Sequence, residues 1–236
     1  MMFSSLRYRR RALSSVFVTG LLAAIVMPTG QPGCRLLADD EEAASELRPG
    51  DVDPETSRVY VWIGKRRLGH EHGVEGRVKE GRLKLNARED AGEIVFDMKS
   101  FSADTAEARK YVGLEGTTDQ DEQADVTKTM LGKSVLNVDD HPTATFAIGR
   151  APLLVEKTDD GDSQYLLEGE FTLCGETQAL KVVAAAVEEK DGQVRLRGNF
   201  TIKQSDFGIK PYRAFGGIVA VTDEIRIYGD LWIVAE

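Results

Sequence analysis

A chain of 236 residues, 42% hydrophobic, is long enough for one domain with a substantial core. Its net charge of −9 argues against nucleic acid as a partner, because a phosphate backbone repels an acidic surface. Two cysteines, Cys34 and Cys174, are too few for a disulfide framework.

Residues 1–11 carry Arg7, Arg9, Arg10 and Arg11 and no acid, and an apolar run from Val16 to Met27 then stops at Pro28. A basic start, a short apolar middle and a helix-breaking end are the layout of a removable secretory signal. The run of 12 residues falls short of the roughly 20 that a spanning helix needs. Residues 1–38 are therefore expected to be a signal peptide, with Ala38 as a small residue at the cut and export to the periplasm or beyond as the consequence. The cleavage point and lipidation of Cys34 stay open. These residues hold five Arg and no acid, so their removal takes the net charge to −14. A domain this acidic is repelled by anionic membrane surfaces as well as by nucleic acid. Residues 39–52, acidic and carrying Pro49-Gly50, read as a solvated linker, which leaves residues 53–236 as the folded domain.

Within that domain, segment after segment alternates apolar and polar residues with period two, the mark of strands with one buried face. Val59, Val61 and Ile63 alternate with Arg58, Tyr60 and Trp62. Leu83 and Leu85 follow, then Ile94, Phe96 and Met98. Ala144, Phe146 and Ile148 share a face, as do Tyr165, Leu167, Gly169, Phe171 and Leu173. Val182 to Val187 adds another strand. The pattern is cleanest in Val194, Leu196, Gly198, Phe200 and Ile202, and it ends with Ile225, Ile227, Gly229, Leu231 and Ile233. Turn signals at Gly81, Gly161, Gly175 and Gly192 separate the runs. The class is all-β and antiparallel, a barrel or a sandwich. Glycine at one inward position of three long strands (Gly169, Gly198, Gly229) suits the bends of a barrel and favours it.

One stretch departs from the pattern. From Phe101 to Leu136 there is little alternation, and Thr118-Asp119-Gln120-Asp121-Glu122 resembles a capped helix start, with Val126, Met130 and Leu131 then at helical spacing. An excursion of this length inside a barrel suits a lid or plug.

Chemical motifs are sparse. There is no Gly-rich phosphate loop, nucleophile elbow or paired-cysteine metal motif. His70 and His72 on a strand would face the same way, a metal half-site that His141 or a carboxylate could complete. Gly69 and Gly73 flank them and are expected to loosen the segment, which favours polar contacts at a barrel rim over ligation. His141-Pro142 reads as a bend before a strand. Cys174 reads as a buried or turn-edge thiol without chemistry. The phenylalanines Phe96, Phe101, Phe146, Phe171, Phe200 and Phe207 either fill a core or line a tunnel; the pattern leaves both open.

Four segments in order resemble the YceI-like family of lipid- and polyisoprenoid-binding proteins. They are Ser100-Phe101 with Ser134 to Phe146 (SVLNVDDHPTATF), Gly169 to Gln178 (GEFTLCGETQ), Ser205 to Ile209 (SDFGI), and Asp223 to Ile227 (DEIRI). Cys174 stands where that family usually has a basic residue, and Glu176 where it has an apolar one. The resemblance spans Asp53 to Glu236. It implies an extended eight-stranded antiparallel β-barrel, lipocalin-like, with one helical excursion and an isoprenoid-type chain inside. The expected lining is Phe96, Phe101, Phe146, Leu167, Phe171, Leu196, Phe200, Phe207, Ile227 and Leu231, with His70 and His72 at the entrance. No catalytic residue, metal or cofactor is expected beyond the bound lipid. Membrane contact would be transient, for lipid exchange, and monomer and homodimer both stay open. A prenyl tail of about 20 carbons, at roughly 0.8 kcal/mol per CH₂, gains about 16 kcal/mol gross on burial, against an association cost of about 4–15 kcal/mol, so a binding protein needs no catalytic group. The alternative is a metal-assisted enzyme built on His70, His72 and His141.

Overall fold

The computed structural model describes residues 47–235; the segment expected to be a signal peptide and most of the expected linker lie outside the described residues. Ten strands and two helices follow in chain order. They are β1 (Arg58–Lys65), β2 (His72–Leu83), β3 (Gly92–Ala103), α1 (Ala106–Tyr111), α2 (Gln120–Leu131), β4 (Thr143–Arg150), β5 (Leu153–Lys157), β6 (Ser163–Leu173), β7 (Glu176–Lys190), β8 (Gln193–Lys203), β9 (Arg213–Ala214) and β10 (Val219–Val234). Eight of these run β1-β2-β3-β4-β6-β7-β8-β10, each antiparallel to its neighbour, and β10 pairs back onto β1. The barrel is closed, which removes the unpaired edges that an open sheet would leave.

The expected faces are the observed ones. Val59 and Val61 point inward beside Val74 and Val78, and Ile94, Phe146, Leu167, Phe171 and Leu196 complete one continuous core. Strand ends differ more. β5 pairs only with β6, as an outer extension, and its exposed Leu153 and Val155 gave no alternation to read. β10 starts at Val219, six residues before the apolar pattern of Ile225, because its first two residues, Val219 and Ala220, pair with the short β9.

β3 continues through Phe101 to Ala103, so the excursion begins later than the sequence pattern suggests. The pattern fails there because β3 bulges: Glu75 pairs with Ser102 and Arg77 with Asp97, leaving Gly76 opposite four unpaired residues. The Phe101 ring lies over Gly76, where a Cβ would sit 2.3 Å from its nearest ring atom.

One end of the barrel is sealed by chain preceding β1. Gly50 donates to Val234 O at 2.9 Å, Val52 donates to Gly81 O at 2.9 Å, and the Val52 side chain is almost fully buried. Barrel bonding thus starts at Gly50, a few residues earlier than the Asp53 edge expected from composition. The other end is crossed by α2, capped by the Asp119 carboxylate accepting from Glu122 N–H as the sequence predicts. α2 is anchored by Ala103 N–H donating to Thr127 Oγ1 at 2.9 Å, and Val126, Met130 and Leu131 pack partly buried against the core. α1 packs outside, with the Tyr111 ring stacked on Tyr60 at 3.8 Å and edge-on to Tyr228.

Candidate functional site

Inside the barrel lies an apolar cavity of about 140 Å³. Its walls come from all eight barrel strands, and Met130 of α2, with Val135 and Leu136 beyond it, bounds the open end. Of the twelve residues expected at the site, Phe96, Phe101, Phe146, Leu167, Phe171, Leu196, Phe200, Ile227 and Leu231 line this cavity. Phe207 does not. It is buried in a 3-10 turn (Gln204–Phe207) and meets the Phe171 ring edge-on at 5.6 Å, so it supports the wall from behind. Phe171 also meets Phe96 and Phe200 edge-on, at 6.4 and 5.9 Å, the geometry favoured by ring quadrupoles. Gly198 and Gly229, opposite each other on β8 and β10, also line the cavity.

A single polar side chain, Gln204, belongs to the lining. It follows β8 and is 6% exposed. Its Nε2 donates to Thr222 O at 2.7 Å, which fixes which end of the amide is nitrogen, and no donor among the described residues reaches its Oε1. Sequence reasoning passed over Gln204 because it sits just past the alternating run and one residue ahead of the segment matched to the family as SDFGI.

Gln204 also borders a second chamber of about 240 Å³ between α2 and the barrel mouth. Ile63, Val74, Met130 and Val135 are shared by both spaces, and His72, Asp125, Thr129 and Tyr212 add polar groups to the outer one. Neither lining contains Lys or Arg.

His72 opens β2, and its Nδ1 lies 2.6 Å from Asp104 Oδ2. Asp104 has a fully buried side chain and accepts from Gly73 N–H at 3.1 Å and from Arg109 Nη1 at 3.0 Å. Burial pushes the Asp104 carboxyl up, but the His72 hydrogen bond and charge, the Gly73 N–H and Arg109 outweigh it and hold it below its ordinary value. His70 stands in the β1–β2 connection, its ring 4.5 Å from that of His72 and its Nε2 3.4 Å from Glu122.

The two histidines are thus at the rim as expected, but the segment is not loose. Gly73 is a close-approach glycine, where a Cβ would meet the Ala108 backbone at 3.0 Å. His70, His72 and Asp104 offer ligand atoms within 4.8 Å of one another. Both Asp104 oxygens are already engaged, and the neighbouring Arg109 charge opposes a cation there. His141 does not join the other histidines; it lies against the β6–β7 turn, where a Cβ on Gly175 would touch its ring. Cys174 occupies that turn with φ of 51°, half-buried, its thiol pushed up by burial.

Residues 51–232 match the YceI-like domain family. No curated protein matches the chain. Among solved structures, a polyisoprenoid-binding domain from Saccharophagus degradans, implicated in plant cell wall breakdown, aligns with a TM-score of 0.54 at 13% identity, over 80% of this chain and all of that one. BcnA of Burkholderia cenocepacia aligns with a TM-score of 0.48 at 17% identity, over 77% of this chain and 98% of that one. The Campylobacter jejuni YceI protein aligns with a TM-score of 0.43 at 13% identity, over 66% of this chain and 80% of that one. With a family match across the whole barrel, from the sealing segment to the last strand, this chain belongs to the YceI-like family.

Proposed function

We propose that this protein is an exported carrier that holds a hydrophobic chain, isoprenoid-type or similar, inside its barrel and performs no chemistry on it. One observation carries the reading: a cavity sealed at one end and entered at the other, with Gln204 as the one polar side chain in its wall. Membership of a family known for binding, and a barrel shared with a domain described as polyisoprenoid-binding, support it. Apolar surface gains roughly 25 cal/mol per Å² on leaving water, so a tail is held by its length alone. The inner cavity of about 140 Å³ is smaller than the roughly 300–1,000 Å³ typical of pockets for compact ligands. An extended chain therefore suits it, with one end in the barrel and the rest beneath α2.

Such a ligand must come from a lipid phase. The rim exposes Leu68, Phe215 and Ile218 beside the mouth residue Tyr212, on two loops joined by Leu68 N–H donating to Ile218 O. Exposed Lys65, Arg66, Arg67, Lys210 and Arg213 flank them. A basic, apolar rim on an otherwise acidic domain suits brief contact with an anionic bilayer: local attraction, with long-range repulsion to release it.

Mass spectrometry of lipid extracted from natively purified protein is expected to find one chain-like lipid class, and Phe200→Trp to lower its amount with little change in thermal unfolding. Failure of the stripped protein to take up any apolar chain would overturn the carrier reading. One equivalent of zinc, lost together with an activity in His70→Ala/His72→Ala, would overturn the non-enzymatic part.

A further inference from the structure

We propose that the rim holds a divalent metal ion of the zinc class between His70, His72 and Glu122, and that this ion ties α2 across the mouth of the barrel. The site stands on its own geometry; the closing role given to it rests on the carrier reading. His70 Nε2 lies 3.4 Å from Glu122 Oε1. That is long for a charge-assisted hydrogen bond, at about 2.7–2.9 Å. It is close to the edge of a ligand tetrahedron, about 3.3 Å when each ligand is about 2.0–2.1 Å from zinc. The His72 ring lies 4.5 Å from that of His70, and His70, His72 and Asp104 bring ligand atoms within 4.8 Å of one another.

Asp104 orients the site rather than ligating. Its Oδ2 takes the His72 Nδ1 hydrogen and leaves Nε2 as the nitrogen for the ion, a carboxylate–histidine–metal arrangement. Gly73 N–H and Arg109 hold the carboxylate in turn, and Asp104 balances the Arg109 charge that would otherwise repel a cation. The charge that a protonated His72 lends Asp104 is kept on binding, because the ion replaces the Nε2 proton, which leaves to solvent. Asp125, three residues beyond Glu122 on the same face of α2, shares the outer chamber wall with His72, so it or a water completes the set of four. Two imidazoles with a carboxylate select a zinc-like ion over Ca²⁺ or Mg²⁺, which take oxygen ligands. The ligands come from the β1–β2 connection, the first residue of β2 and the first turn of α2. One ion thus fastens a helix that buries none of its residues fully over the outer chamber.

The test is calorimetric titration of zinc chloride, and separately of calcium chloride, into the untagged, chelator-stripped protein. One equivalent of zinc is expected to bind, and calcium is not. Glu122→Gln and His70→Ala change side chains that are nearly half exposed, so both variants should fold, and each should weaken zinc at least about ten-fold. Asp104→Asn should weaken it about 10–100-fold with every ligand in place. No zinc binding, or binding as tight in Glu122→Gln as in the unaltered protein, overturns the site; the second result would mean a surface histidine pair chelating alone. At saturating zinc, release of an apolar fluorescent probe from the barrel should slow about ten-fold, since α2 must first shed a ligand, and in Glu122→Gln it should not change. Unchanged release from the zinc-bound protein overturns the tie. A protein that binds zinc through Glu122 but takes up no probe overturns the carrier reading and leaves the metal site standing.

Discussion

Three glycines that look equivalent in the sequence do different things. Gly169 packs where a Cβ would lie 1.9 Å from Ala147 O, against backbone that cannot yield. Gly198 is crowded by Val183 O at 2.9 Å, whereas a Cβ on Gly229 would meet only Leu231 Cγ, at 3.9 Å. Gly169→Ala is therefore expected to cost at least about 1–3 kcal/mol by overpacking. Gly229→Ala should be neutral or stabilising by about 0.5 kcal/mol, because alanine restricts the unfolded chain more. Since Gly229 lines the cavity, the same substitution should weaken ligand uptake. Denaturant unfolding and probe displacement measure both, and equal stability loss at the two sites would contradict the geometry. At the rim, His72→Ala removes a partner from a buried carboxylate and is expected to cost about 1–3 kcal/mol, whereas His70→Ala, on an exposed ring, should stay within about 0.5 kcal/mol. Asp104 and Asp230 are both held below the ordinary carboxylate value. In each case burial opposes ionisation and is outweighed, at Asp230 by hydrogen bonds from Arg195 and Arg197. The stability they contribute is present above the unfolded value near pH ~4 and is lost as pH falls through their lower folded values. Asp230→Asn should flatten this acid limb of an unfolding titration; an unchanged limb would mean that Asp230 is not its source.

Each element of the excursion serves the mouth or the outer wall. α2 buries none of its residues fully, yet Met130 reaches the inner cavity and Val126 the outer chamber, which suits a helix that covers an entrance. α1 holds Tyr111 over the Asp230 cluster outside, with the Arg197 guanidinium 5.9 Å from the ring. The loop before β10 holds Phe215 81% exposed at φ of 50°, a conformation that bulky side chains rarely adopt. Its retention beside the mouth fits the role given to the rim. The paired change Phe215→Ser/Ile218→Ser should slow lipid transfer from anionic vesicles roughly ten-fold, the scale of losing a buried aromatic and an aliphatic contact. Added salt should weaken transfer for the unaltered protein as well. Transfer at unchanged rate in the variant would place exchange elsewhere.

At the scale of the whole molecule, closure makes the interior a container. β1 and β10 lie at opposite ends of the domain's sequence and meet through Arg58–Asp230 to Ile63–Ile225 without a break in register. The proposed export makes a prediction: N-terminal sequencing of the mature protein should begin between Gln31 and Glu41. Recovery of an intact Met1 on a membrane-embedded product would contradict removal of the signal.

The strand faces, the cap of α2 and most of the cavity lining were legible in the sequence, because side-chain alternation and capping depend on neighbours within a few residues. Nine of the ten apolar residues expected at the site line the cavity; the tenth, Phe207, was expected there but lies behind the wall, because a 3-10 turn after β8 ends the alternation. What depends on partners far apart in the chain appears only in the tertiary structure. The bulge opposite Gly76, the placement of His141 apart from His72, and the His72–Asp104–Arg109 network are of this kind. So is the isolation of Gln204 Oε1 between two chambers, since no local pattern records which strand a residue will face once the barrel closes.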